Sequence, residues 1–255
     1  MSEPLKVWEE RDGQLLRLRL ARPKANIVDA AMIAALAEAF AGAGGEAARK
    51  AVLLDHEGPH FSFGASVEEH LPGQCAEMLA GLHALIRRML DCPLPILVAI
   101  RGQCLGGGLE VAAAGDLLFA APDARLGQPE MQLAVFAPAG SCLLPEKVGP
   151  GRAFDMLVSG RSLSGEEAAA AGLVQEVAED PEAAALAWFD RHLAPKSAAA
   201  LRYAVQAARM QTVERIKEKL ERVERLYLDG LMSTHDAVEG LRAFLEKRPA
   251  QWENR

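Results

Sequence analysis

The chain reads as an α/β protein with a helical C-terminal region, and three observations carry that reading. Residues 95–100 form an apolar, β-branched run that stops at Gly102. Gly106-Gly107-Gly108 and an alanine-rich segment bearing Glu110 follow it, the pattern of buried strand, tight loop and helix start. Residues 14–20 alternate Leu16, Leu18 and Leu20 with Arg17 and Arg19, the period of a half-buried strand. Beyond Pro195, Val213, Ile216, Leu220, Val223 and Tyr227 recur at threes and fours among charges, as on one face of an amphipathic helix.

Taken in order, residues 14–20 are predicted as the first strand. Arg22-Pro-Lys-Ala-Asn-Ile-Val-Asp29 breaks its pattern, and Asp29 can cap a helix through Met32, Ile33, Leu36 and Phe40. That loop carries Arg22 and Lys24 between strand and helix, where two readings stand: surface solubility, or contact with a phosphate-bearing ligand. Residues 50–55 are a short buried strand. His56-Glu57-Gly58-Pro59-His60 matches the zinc-protease pattern HExxH, but Gly58 and Pro59 break the helix that this spacing requires, so no metal site is expected. Phe61-Ser-Phe-Gly-Ala-Ser66 is predicted as a strand end running into small residues, which free the Ala65 N–H to face a ligand; packing alone also accounts for them.

Residues 74–91 carry Met78, Leu82, Leu85, Ile86, Met89 and Leu90 at helical spacing, ended by Cys92-Pro93. Residues 116–121 and 125–127 are predicted strands, so a strand, strand and helix unit recurs to about residue 121 without a detectable sequence repeat. After Glu130 come a loop and an interrupted helix, then a short amphipathic helix over residues 152–158. Ser164-Gly-Glu-Glu167 fits a capping box opening a helix that stops at Gly172, with a small strand over residues 173–177 and helix beyond Pro181. Pro195 divides a core of residues 1–195 from a helical region of residues 196–255. The helical region docks either on a neighbouring subunit or on its own core as a cap.

At 255 residues, half of them hydrophobic, the chain can bury a substantial core. A formal charge of −7 and no basic stripe argue against a nucleic-acid partner. No apolar run approaches the ~20 residues of a membrane helix, and Met-Ser-Glu-Pro-Leu-Lys does not resemble a signal peptide, so a cytoplasmic location is expected. Cys75, Cys92, Cys104 and Cys142 are scattered without a CxxC pair and read as reduced packing residues.

The chemistry concentrates in the glycine loop and two acids. Glycines let main-chain N–H groups approach a ligand, and a helix N-terminus adds partial positive charge, so residues 106–108 suit an oxyanion developing on a carbonyl. Glycines alone serve close packing equally well; Glu110 beyond them and Glu130 after a second glycine-containing loop favour the oxyanion reading. Two acids beside such donors suit proton transfer and water activation, and an apolar wall raises a carboxyl pKa so that one member can donate while the other accepts. The chain has no G-x-S-x-G elbow, no phosphate-binding G-x-x-x-x-G-K-[ST] and no dinucleotide fingerprint.

At these residues the chain resembles the crotonase (enoyl-CoA hydratase/isomerase) family, nearly end to end. Arg22-Pro-Lys-Ala is similar to the family's CoA-contacting loop, Phe63-Gly64-Ala65-Ser66 to its first oxyanion segment, and Gly106-Gly107-Gly108-Leu109-Glu110 to its second oxyanion loop and first acid. Gly127-Gln128-Pro129-Glu130 resembles the motif of the second acid, and residues 243–249 resemble a C-terminal helix that reaches a neighbour's CoA. The resemblance implies a spiral of ββα units with a helical trimerisation tail, assembled as a homotrimer or as a hexamer of two trimers. It implies Glu110 and Glu130 as catalytic acids and the N–H groups of Ala65 and Gly107 as the oxyanion hole. Lys24, Ala25, Ile27, Phe63, Gly64, Ala65, Ser66, Val67, Leu105, Gly106, Gly107, Pro129, Phe136, Phe244 and Lys247 are implied as substrate or CoA contacts. No metal and no cofactor beyond the CoA of the substrate are implied.

The expected activity is hydration of an unsaturated acyl-CoA. Three positions depart from the family pattern: Ser66 where Asp is common, Arg101 where Asn is usual, and Phe136-Ala-Pro-Ala-Gly-Ser-Cys142 where Pro-Gly-x-Gly-Gly-Thr is usual. With residues 61–70 and the ending Arg-Pro-Ala-Gln-Trp252, these make the chain look most like members that hydrate a cyclic dienoyl-CoA by 1,4-addition. An ordinary 2-enoyl-CoA hydratase, a cyclohex-1-ene-1-carbonyl-CoA hydratase and a non-catalytic binding protein on the same fold are the alternatives.

Overall fold

The computed structural model describes residues 3–255. The N-terminal half repeats strand and helix. Strands β1 (Leu5–Glu10) and β2 (Leu15–Leu20) lead into helix α1 (Ala30–Ala43), followed by β3 (Ala51–His56) and α2 (Cys75–Asp91). Strands β4 (Ile96–Ile100) and β5 (Gln103–Leu105) precede α3 (Gly107–Ala113), and β6 (Leu117–Ala120) and β7 (Arg125–Gly127) follow it. Asp29 caps α1 by accepting from the Met32 N–H at 2.9 Å, as its position after the loop predicts.

The first strand of the sheet was not expected. Strand β1 carries Lys6, Glu9 and Glu10 on an edge and lacks a clean alternation, yet its register pairs Leu5 with Leu20 and Glu10 with Leu15. The main sheet runs β1-β2-β3-β4-β6-β9, where β9 is Glu176–Val177, and is antiparallel only between β1 and β2. A second sheet runs β5-β7-β8, where β8 is Ser162–Ser164. The predicted strand at residues 61–66 is instead an irregular segment held by isolated bridges, Ser62 to Cys104 and Val28 to Ala65. A regular ladder is interrupted there by Gly64, whose φ of +109° leaves the strand region.

The second half is mostly helical. Helices α4 (Pro138–Val148) and α5 (Pro150–Ser159) precede β8 (Ser162–Ser164), α6 (Gly165–Ala171) and β9 (Glu176–Val177). The capping box forms as predicted: Ser164 Oγ accepts from Glu167 N–H at 3.1 Å while Glu167 accepts from Ser164 N–H at 2.7 Å. The strand expected over residues 173–177 shrinks to its last two residues, because Leu173 and Val174 donate to Ala168 O and complete the end of α6. Helices α7 (Pro181–His192), α8 (Ala198–Arg225) and α9 (His235–Leu245) complete the chain.

Two buried clusters sandwich the main sheet. One face packs α1, α2, α3 and α4 through residues such as Met32, Leu54, Leu85 and Val98, and the other packs α7 through Phe119 and Phe189. Helix α8 is bolted to this core by Arg209, which donates to Asp116 and to the carbonyls of Cys92 and Leu94. Only Ile216 and Leu220 of α8 are buried, while Tyr203 and Met210 are 75% and 57% exposed. A π-helical turn at Leu226–Gly230 and a 3-10 turn at Leu231–Ser233 then reverse the chain, so that α9 returns to the core.

The HExxH string plays a packing part. His56 ends β3 and accepts from the Arg101 N–H at 3.1 Å, and His60 accepts from the Gln103 N–H at 3.2 Å. The two rings thus hold the backbone on either side of Gly102, where a Cβ would stand 2.2 Å from Pro59 O. Burial, with Arg101 nearby, depresses the His56 pKa to about 4. All four cysteines are buried and unbridged, with thiol pKa values pushed up by burial. Among the described residues, no helix is long and apolar enough to cross a membrane.

Candidate active site

The strands β4 and β5 turn over at Gly102, and β5 delivers the chain to Gly106 with a φ of +50°. That conformation suits glycine, and the site needs glycine a second time, because a Cβ here would lie 2.7 Å from Glu130 Oε1. Gly107 opens α3, and a Cβ on it would stand 3.0 Å from the Ala65 nitrogen. The segment at Gly64-Ala65 and the loop at Gly106-Gly107 therefore abut without side chains between them. Neither the Ala65 nor the Gly107 N–H donates to another group among the described residues. Two free main-chain donors on one rim can share a single oxygen.

Glu110 lies in the first turns of α3, 3% exposed. Its Oε1 accepts from the Gly140 N–H at 2.7 Å, in the first turn of α4. The N-terminus of α4 thereby holds the carboxylate by backbone alone. Burial nevertheless raises its pKa to about 7, the donors from Gly140 and Ala139 opposing that rise.

Glu130 sits in a 3-10 turn, Pro129–Leu133, after β7. Its support differs. The buried amide of Gln128, turned so that its NH2 faces the acid, donates to both carboxylate oxygens at 3.1 Å and to Gly106 O at 3.3 Å. Glu130 is only partly exposed and lines the same cavity as Glu110. Burial first, and then the charge of Glu110, raise its pKa to about 8. Two such carboxyls titrate as a coupled pair, so one can hold a proton while the other is ionised. The arrangement can take a proton from one atom and give one to another beside a polarised carbonyl.

The cavity has a volume of about 310 Å³. Of the residues expected to contact substrate, Phe63, Gly64, Ala65, Val67, Leu105, Gly106, Gly107, Pro129, Phe136 and Phe244 line it, together with both acids. Lys24, Ala25, Ile27, Ser66 and Lys247 do not line it. Lys24 is exposed, and Ala25 adjoins the rim, where its carbonyl accepts from the Phe63 N–H at 2.9 Å. Arg22 is occupied by an ion pair with Asp29. The Ser66 hydroxyl instead accepts from the Glu69 N–H at 3.4 Å, beside the short helical turn at Glu68–His70.

Phe244, with Leu241, lines the cavity of its own chain. The cause is the close seating of α9 on the turn that carries Glu130, where a Cβ on Gly240 would lie 2.2 Å from Leu133 O. Lys247 follows α9 with a φ of +54°, outside the cavity lining. Sequence reasoning missed His70, Leu79, Leu82, Gln132, Leu133, Val135, Pro138 and Leu241 as wall residues, and Gln128 as the support of Glu130. For Gln128 a signal existed, a polar residue amid the Gly127-Pro129 turn; the others read as ordinary core or loop positions.

Known proteins match this chain over nearly its whole length. The enoyl-CoA hydratase/isomerase family model matches residues 10–255. The chain is 69% identical over 254 residues to the cyclohexa-1,5-dienecarbonyl-CoA hydratase of Thauera aromatica, covering 100% of this chain and 98% of that protein. It is 31% identical over 263 residues to the carnitinyl-CoA dehydratase of Salmonella enteritidis, covering 100% of each. Among solved structures, an enoyl-CoA hydratase from Mycobacterium avium matches with a TM-score of 0.87 at 25% identity, over 99% of this chain and 100% of that one. An enoyl-CoA hydratase/isomerase from Pseudoalteromonas atlantica matches with a TM-score of 0.86 at 26% identity, over 98% and 99%. Full-length agreement in sequence and in fold means that this chain belongs to the enoyl-CoA hydratase/isomerase family.

Proposed function

We propose that this chain adds water to cyclohexa-1,5-diene-1-carbonyl-CoA, giving 6-hydroxycyclohex-1-ene-1-carbonyl-CoA. The observation that carries the chemistry is the pair of buried carboxyls, Glu110 and Glu130, raised to about 7 and 8 and facing one cavity beside two unpartnered backbone donors. The full-length likeness to the Thauera aromatica protein supports the choice of ring substrate.

In this reading Ala65 and Gly107 donate to the thioester oxygen. The ionised member of the acid pair takes a proton from water, and the oxygen bonds to ring carbon C2. Charge then spreads through C1 to the thioester oxygen and to C5. The protonated member supplies the proton to C5, the C5–C6 double bond moves to C6–C1, and renumbering gives the product. Phe63, Leu105, Pro129 and Phe244 form the outer wall for the CoA arm, with Lys24, Ala25 and Ile27 beyond the rim. No metal and no further cofactor is assigned. The apolar surface of Tyr203 and Met210 on α8 supports assembly as a homotrimer or a hexamer, and a cytoplasmic location belongs to the same proposal.

Turnover in D₂O with the cyclic dienoyl-CoA and with crotonyl-CoA, followed by NMR of the products, tests it. Deuterium at the carbon that was C5 of the diene, with crotonyl-CoA hardly touched, is the expected result. Efficient crotonyl-CoA hydration with the diene ignored would reassign the chain to general 2-enoyl-CoA hydration.

A further inference from the structure

The cavity holds one ionisable side chain that the acid pair does not account for. His70 closes the short helical turn after Ala65 and lines the cavity beside Val67, Leu79 and Leu82. Its Nδ1 lies 2.7 Å from Ser66 O, a backbone acceptor, so the proton of the neutral ring resides on Nδ1. That leaves Nε2 as an acceptor with no partner among the described residues. Burial holds the ring below its ordinary pKa, so it stays neutral near pH 7 and accepts rather than donates.

Nε2 is not among the buried unpartnered atoms, so it is open to a donor, and the residues beside it, Val67, Leu79 and Leu82, offer none. The ring of the proposed substrate is hydrocarbon. The one donor that the chemistry brings to it is the reacting water, which becomes the ring hydroxyl. We propose that His70 is a specificity-determining residue of this site, its Nε2 accepting a hydrogen bond from that hydroxyl and so distinguishing the hydroxylated ring from the diene. The inference rests on the proposed hydration.

The test is steady-state kinetics in both directions with His70→Leu and His70→Gln, the second placing an amide oxygen near the position of Nε2. His70→Leu is expected to raise KM for the hydroxylated ester about 10-fold, the loss of one hydrogen bond, while KM for the diene stays within about twofold. Because the overall equilibrium is fixed, kcat/KM must change equally in both directions, so kcat for dehydration shifts to compensate. His70→Gln is expected to restore the KM of the hydroxylated ester. KM values that move together in His70→Leu would overturn the inference, pointing to packing or a contact with the CoA arm. Unchanged KM values, or a glutamine variant that behaves like leucine, would overturn it equally. Absence of turnover of either ring ester by the unmodified protein would instead sink the hydratase reading itself.

Discussion

Glu110 and Glu130 face the same cavity from supports of opposite kind. Glu110 is built into a helix and held by main-chain N–H groups at the start of another helix, so its seat depends on topology more than on any one side chain. Glu130 stands on a 3-10 turn and is held by the side-chain amide of Gln128, with Gly106 leaving room for it. The first acid is fixed by the fold; the second is tunable by single substitutions. Within one family, the second seat is thus where local changes can adjust the chemistry while the architecture stands.

The largest effects should come from the acids themselves. Glu110→Gln and Glu130→Gln are each expected to lower kcat by ~10²–10⁴-fold with little change in CoA-ester binding, the contribution of a general acid or base. Near-normal turnover in either variant would remove that carboxyl from the mechanism. Next comes Gly106→Ala. Its Cβ would meet Glu130 Oε1 at 2.7 Å and hold an alanine at a φ of +50°. Displacing the acid by a fraction of an ångström to 1 Å is expected to cost up to ~10²-fold in kcat. Glu110, farther along α3, should keep its seat, so the residual pH dependence of this variant should follow one carboxyl.

Gln128→Leu makes the same comparison through titration. The amide donates to the ionised form of Glu130, which favours that form, so its removal should raise the Glu130 pKa further. For the unmodified protein, kcat/KM should be bell-shaped in pH, with limbs near 7 and 8 that belong to the pair. In Gln128→Leu the alkaline limb should move to higher pH with the acid limb nearly fixed. Equal movement of both limbs would show that the two seats are not independent.

How far this site could be read from sequence follows the same division. The strand, glycine loop and helix around Glu110 were legible because hydrophobic periodicity and glycines specify them locally, and the capping signals at Asp29 and Ser164 are equally local. The edge strand Leu5–Glu10 was missed because its charged residues hide the alternation, and only pairing with β2 defines it. Phe61–Ser66 looked like a strand by composition, but Gly64 and the neighbouring glycine loop make it an irregular rim. The wall residues Leu79 and Leu82 could not be told from core residues, since a helix facing a cavity and one facing packed side chains share the same apolar stripe. The seating of α9 on its own chain depends on the reversal at residues 226–233, for which the periodicity holds no signal.

The smallest expected effect is on stability, and it runs through the same pair. An unfolded glutamate titrates near 4.5, whereas Glu110 and Glu130 are raised to about 7 and 8 in the fold, burial being the main cause. Between these values the folded chain binds more protons than the unfolded one, so stability must fall as pH rises through the window and level off above about 8. The loss therefore falls mainly between pH 5 and 8. Glutamine at either position removes the titration. Unfolding curves at pH 5 and pH 8 should therefore differ less for Glu110→Gln and Glu130→Gln than for the unmodified protein, and least for the double variant. Glu130→Gln should recover more than Glu110→Gln, because Glu130 also carries the repulsion of its neighbour and is raised further in the fold. Equal recovery in the two variants would mean that the two seats hold charge equally well, against the comparison drawn from their geometry.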